Sequence, residues 1–165
     1  MAVDFSAFDA KVNLNELQEE VKNAPEFADV PDGQYIVTIE KMEIKATKAG
    51  DKLMFAVQCK ILSGADDDGE EVETTQKNRM IFFNRVITGN KNSENWNDGK
   101  AIKSVCTWVN KLIGEDEEPV EFVNYSDFAE QILDVFQSIQ GAVELHVAYA
   151  AKDFNPITIK EVYDV

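Results

Sequence analysis

The sequence predicts a mainly β domain with helices, an α+β chain folded as an OB-like five-stranded barrel with a helical insert between its third and fourth strands. Three observations predict it. Apolar and polar side chains alternate with period two over five stretches, two stretches with helical spacing lie between the third and fourth of these, and positive charge gathers in the middle of an acidic chain. The 165 residues suffice for one core, and 44% hydrophobic with 28% charged residues is the composition of a folded chain. Residues 1–30 read as an N-terminal arm with a short helix, and residues 31–165 as the OB-like domain.

The arm carries Phe5 and Phe8 without a sustained period. Asn13 with Glu16 three residues on reads as a capping pair, and Leu14, Leu17 and Val21 share one helical face before Pro25. Pro31-Asp32-Gly33 predicts a turn. In the first strand Tyr35, Val37 and Ile39 face one way, and Met42 and Ile44 continue on the other parity, which predicts a bulge near Glu40 and Lys41. The second strand follows the loop 47–51, with Leu53, Phe55, Val57, Cys59 and Ile61 alternating against more polar neighbours.

Residues 63–75 form a polar, acidic loop, and a third strand is expected over residues 77–88. One parity of it holds Lys77, Arg79, Ile81, Phe83, Arg85 and Ile87, and that face is expected to be wet. A loop around Trp96 precedes a helix over 100–113, in which Ile102, Val105, Val109 and Leu112 recur at helical spacing and Trp108 belongs to the core. A second helix over 126–140, capped by Ser126, buries Phe128, Ile132, Leu133, Phe136 and Ile139. Strands over 143–150 and 157–165 close the chain.

The net charge of −15 argues against a nucleic-acid binder until it is resolved by position. Residues 1–40 hold 9 acids and 2 bases, residues 41–111 hold 10 acids and 12 bases, and residues 112–165 hold 12 acids and 2 bases. The middle is therefore slightly basic between two acidic flanks. An OB fold presents its ligand surface on strands two and three and on the loops joining strands one to two and four to five. Those places hold Lys45, Lys48 and Lys52; Lys77, Arg79, Phe83 and Arg85; and Tyr149, Lys152 and Phe154. Trp96 joins them as a candidate stacking residue. Such a set supplies cations for phosphates and rings for bases, which is what holding a single strand requires.

Other chemistries lack their motifs. His146 is the single histidine, and no nucleophile elbow, phosphate-cradling loop or paired-histidine zinc motif occurs, so no catalytic residues, metal or cofactor are expected. The acidic residues Asp66 to Glu73 lack calcium-loop spacing. Cys59 and Cys106 sit among apolar neighbours as buried thiols. No apolar run approaches the length of a membrane span, and a cytoplasmic location is expected.

The run Pro31-Asp32-Gly33-Gln34-Tyr35, then residues 43–50 with their Thr-Lys-x-Gly loop, then residues 55–64 and Arg79-Met80-Ile81-Phe82, resembles a family of small bacteriophage proteins filed as a domain of unknown function. The resemblance covers about residues 30–113. Members of that family look like phage single-stranded-DNA-binding proteins encoded among replication and recombination genes. The resemblance implies a sequence-nonspecific single-stranded-DNA-binding protein working in the host cytoplasm. Its acidic segments would recruit phage replication or recombination proteins, and homo-oligomer formation would add affinity to a middle that is only slightly positive. An acidic inhibitor that imitates DNA and occupies a host enzyme's basic groove is the alternative expectation.

Overall fold

The computed structural model describes residues 3–23, 29–90 and 93–165. Two short helices, α1 (Phe5–Asp9) and α2 (Leu14–Asn23), precede the strands β1 (Gly33–Ala46), β2 (Leu53–Ala65), β3 (Glu71–Val72) and β4 (Met80–Val86). Two longer helices follow, α3 (Asp98–Ile113) and α4 (Tyr125–Ile139), and then β5 (Val143–Tyr149) and β6 (Ile157–Asp164). The expected capping contact of α2 is made, with Asn13 Oδ1 accepting from the Glu16 N–H at 3.2 Å. Pro25 lies outside the described residues.

The strands form an open antiparallel sheet in the order β3-β2-β1-β5-β6, with β4 pairing β2 beside β3. Among the described residues no ladder joins β4 to β6, so the expected barrel closure is absent from the pairing. The physical reason is α3, which lies against both of those strands. Its Trp108 is buried and donates its indole N–H to the Ile157 carbonyl at the start of β6, at 2.9 Å. The same ring meets Phe55 at 5.8 Å and Phe83 at 5.6 Å between centroids. A helix carrying a tryptophan thus fills the space that a closing ladder would need.

Register explains which side chains point inward. Val57 opposes Phe83 and Cys59 opposes Ile81, and all four are buried in the core together with Val37, Ile39 and Met42 of β1. The predicted bulge is present as a register shift between Ile39 and Lys41, and it returns Met42 and Ile44 to the inner face. A second shift between Ile36 and Val37 was not expected; there Ile36, Val37 and Tyr35 are all buried, so no alternation marks it. Burial of Cys59 pushes its thiol pKa up to about 12, and burial also raises that of Cys106.

Three boundaries differ from the sequence reading. The third long strand begins at Met80 and not at residue 77, because Gln76 to Asn78 turn: Asn78 takes a φ of 70°, a value that asparagine tolerates, and the Arg79 N–H returns to the Gln76 carbonyl at 3.1 Å. The acidic loop contains the two-residue strand β3 against Gly64 and Ala65, where a Cβ on Gly64 would stand 2.9 Å from a Val72 methyl. The second long helix is capped by Asn124, whose Oδ1 accepts from the Asp127 N–H at 2.8 Å, and not by Ser126. Leu133, expected to be buried in it, is exposed.

Asn97 caps α3 by accepting from the Lys100 N–H at 2.9 Å. Replacing it with alanine should cost about 1 kcal/mol, read as a lower urea midpoint at unchanged slope. An unchanged midpoint would show that the cap adds nothing. No helix among the described residues is long and apolar enough to cross a membrane.

Candidate nucleic-acid interface

The face of the sheet turned away from the core is set by the same ladders. Across β1, β2 and β4 it reads in four rows: Lys45, Met54, Val86; Glu43, Ala56, Asn84; Lys41, Gln58, Phe82; and Thr38, Lys60, Met80. Cross-strand neighbours in such rows stand about 5 Å apart, so these side chains form one continuous surface. Phe82 is 48% exposed, which is unusual for a phenylalanine in the middle of a strand. Three lysines flank it against two acids, Glu43, which pairs with Lys41 at 3.5 Å, and Glu40 at the bulge, which accepts from the Thr38 hydroxyl at 2.9 Å. On a chain of net charge −15 this is a locally basic, partly aromatic surface.

Loops border this face. The β1–β2 connection is a tight turn closed by the Gly50 N–H on the Thr47 carbonyl at 2.8 Å, and it presents Lys48 and Lys52 to solvent. Lys52 packs beside Gly89, and its charge helps to hold Asp98 below the usual carboxylate pKa. The larger causes of that shift are hydrogen bonds from Asn90, whose backbone N–H and side-chain amide reach Asp98 at 2.8 and 2.9 Å. Lys152 and Phe154 are exposed on the β5–β6 loop, and that loop is tied to the start of β1 by the Ala151 N–H on Asp32 Oδ1 at 3.1 Å.

The expected wet face of the third strand is corrected. Phe83 is 1% exposed and belongs to the core, and Arg85 is 6% exposed. Lys77 and Arg79 precede β4 and do not share a strand face with them. Lys77 is exposed in the turn, while Arg79 is half-buried, donates to Gln76 Oε1 at 2.8 Å and lies near Tyr35 and Tyr149. Burial, then the charges of Asp29 and Asp32, raise the Tyr149 pKa, and Arg79 opposes them.

Arg85 makes a clamp. Its Nη1 donates to Ser104 Oγ of α3 at 2.7 Å and its Nη2 to the Phe154 carbonyl of the β5–β6 loop. The guanidinium lies 4.1 Å from the Phe154 ring centroid, 5.0 Å from that of Phe83 and 5.4 Å from that of Trp96. Burial holds its pKa below the ordinary arginine value. Trp96 is half-buried, not a free tip: it packs edge-on against Phe154 at 4.7 Å, and its N–H reaches Asn90 Oδ1 at 3.2 Å.

The structure therefore brings Trp96, Phe154 and Arg85 together and leaves Lys45, Lys48, Lys52 and Lys152 on the surface. Sequence reasoning missed Lys41, Gln58, Lys60, Met80, Phe82 and Asn84. A signal was present: once Lys77 and Arg79 are assigned to the turn, the remaining parity is Ile81, Phe83, Arg85 and Ile87, three apolar residues in four, which marks the core face.

His146 is buried and shares a 2.6 Å hydrogen bond with Gln34 Oε1, whose amide donates to Asp67 of the acidic loop at 2.5 Å. Asp66 accepts from the Asp68 and Glu70 N–H groups at 3.0 and 2.9 Å and so closes that loop on itself. Among the described residues no group of three or more histidine, cysteine, aspartate or glutamate side chains is placed to hold a metal ion.

No curated protein and no solved structure matches the chain. A family described as protein of unknown function, DUF669, matches residues 16–161, a span that reaches from α2 to β6 and takes in the whole candidate face; the chain belongs to that family.

Proposed function

We propose that the protein holds single-stranded DNA without sequence preference, as a non-catalytic component of phage replication or recombination in the host cytoplasm. The observation that carries this reading is the outer face of β1, β2 and β4, where exposed Phe82 and half-buried Met54, Met80 and Val86 stand among Lys41, Lys45 and Lys60. A ring and lysines in one surface suit a strand of which a base stacks while its phosphates are neutralised. The pairing order β4-β2-β1-β5-β6 supports an OB-like relationship, since it is the order of an OB barrel opened between its third and fifth strands. In that frame the exposed Lys48, Lys52, Lys152 and Phe154 lie on the two loops that flank an OB ligand surface.

The test is a fluorescence titration of labelled oligo-dT. Three to six phosphate contacts predict a slope of log affinity against log salt of about −2 to −4. The double change Lys45→Glu and Lys60→Glu should abolish binding at low salt, and Lys160→Glu on β6 should not. Wild-type protein that leaves oligo-dT unbound at low salt would sink the proposal. Exposure of the acidic run Glu115, Asp116, Glu117 and Glu118 favours the second reading, a mimic of DNA phosphates. Competition with DNA for a nucleic-acid enzyme, without any oligonucleotide binding, would support that reading.

A further inference from the structure

The outer face of the sheet does not end at the row of Thr38, Lys60 and Met80. The register shift at Ile36 inserts Leu62 into β2 and leaves β1 regular, so Gln34, Ile36 and Thr38 point the same way. A fifth row therefore follows: Ser63 opposes Ile36, Ile36 opposes His146, and His146 opposes Glu161. Although this row lies on the outward side, Ile36 and His146 are each only 3% exposed. The tip of the β2–β3 loop covers it. Gln34 donates to Asp67 Oδ1 at 2.5 Å and meets His146 Nε2 at 2.6 Å. Gly69 lies so close to the sheet that a Cβ on it would collide with the Tyr163 hydroxyl and stand 3.2 Å from His146 Nδ1.

Shielding Ile36 accounts for an apolar cover, but this cover carries Asp66, Asp67, Asp68 and Glu70, all exposed. Glu161 adds a carboxylate from the row itself. Loss of water, then the charges of Glu161 and Glu70, raise the Tyr163 pKa. Lys111 and Lys160 line a cavity of about 400 Å³ beside Asp67 and Asp68, yet among the described residues no ion pair ties either lysine to the loop. In the same row Ser63 Oγ is buried without a hydrogen-bond partner. Crowded carboxylates and an orphaned hydroxyl both cost stability, so packing alone does not select this loop.

Charge is ordered along the face. Lys45, Lys48 and Lys52 are exposed at the end formed by the β1–β2 turn, and the carboxylates stand at the other end. Since β5 joins β1 only over Gly33–Val37, the fifth row is where the face would continue along its strands. We propose that the acidic tip of the β2–β3 loop closes the DNA face at that end, so that a bound strand leaves past the β1–β2 turn and does not cross onto β5 and β6. This closure rests on the DNA-binding reading and gives the strand its path. The fifth row lies about 7 Å beyond the fourth, and carboxylates act on phosphates over about 10 Å at 0.1 M salt.

Oligo-dT titration at low salt tests it with two matched neutral pairs and one exchanged loop. Asp67→Asn with Asp68→Asn keeps the acceptor for Gln34 and removes two charges; it should bind at least threefold more tightly than wild type, with the gain fading as salt rises. Glu130→Gln with Asp134→Asn removes two charges from α4, which packs on the core side of β1, and should leave affinity within about 1.5-fold. Replacing residues 66–70 by Asn-Gly joins the paired Ala65 and Glu71 as a two-residue hairpin and uncovers the fifth row. In that variant, shown to be folded by circular dichroism, affinity should keep rising with oligo-dT length beyond the point at which wild type levels off. Equal gains from the two neutral pairs, or an unchanged levelling length in the folded loop variant, overturn the closure while DNA binding stands. Binding by neither wild type nor the Asp67→Asn, Asp68→Asn protein overturns the DNA reading and the closure with it.

Discussion

Phe83→Ala should lower the unfolding free energy by about 3–5 kcal/mol, whereas the change one residue earlier, Phe82→Ala, should leave it within about 0.5 kcal/mol. The two rings are neighbours in β4 but lie on opposite faces. Phe83 packs edge-on against Phe55 at 5.8 Å and meets Trp108 in the core, so its removal leaves a cavity lined by aromatic rings. Phe82 has only its flanking side chains to lose. Binding should move the other way. With one base stacked on the Phe82 ring, its loss should weaken oligo-dT binding by about 1–3 kcal/mol, roughly 5- to 150-fold, with the salt slope unchanged because no phosphate contact is removed. Urea denaturation and the oligo-dT titration read the two effects separately. A Phe82→Ala protein that binds like wild type would remove the outer face from the proposed site even if DNA binding itself were real.

Arg85→Ala should cost roughly 2–4 kcal/mol, because the Ser104 hydroxyl and the Phe154 carbonyl lose a charged donor and three rings lose their shared cation. Arg85→Lys should not restore it, since a single ammonium cannot donate in the two directions that the planar guanidinium spans. Arg85→Met separates packing from hydrogen bonding. Methionine keeps much of the side-chain length but leaves the same two acceptors without their donor, so this variant should recover the packing share of the alanine loss and not the hydrogen-bond share. It should also release the loop around Phe154 and Trp96. Acrylamide quenching of tryptophan fluorescence should rise through Trp96, because Trp108 is held in the core. Quenching that does not change in Arg85→Met would show that the rings hold the loop without the cation.

The two experiments mark where sequence reasoning reaches its limit. Local alternation revealed the first two strands and even the bulge near Lys41, since a parity switch in apolar residues is written into the chain itself. It could not reveal the shift at Ile36, where three consecutive buried residues hide the parity. The two long helices were legible from their spacing, but their first residues were not, because Asn97 and Asn124 precede the apolar pattern and are recognised as caps only by the amides that they meet.

For the site, the sequence by itself determined composition. It showed that bases gather between residues 41 and 111, that aromatic residues accompany them, and that the flanks are acidic. Only the tertiary structure decided which of those residues can meet a ligand. A charged residue on a strand looks solvent-facing in a sequence, yet Arg85 points inward because α3 and the β5–β6 loop supply its acceptors from residues 19 and 69 positions away. Phe82 looks like core in a sequence, yet it faces out because register assigns the inner face to Phe83. Partners distant along the chain set the cost of burying a polar group, and no local pattern records them.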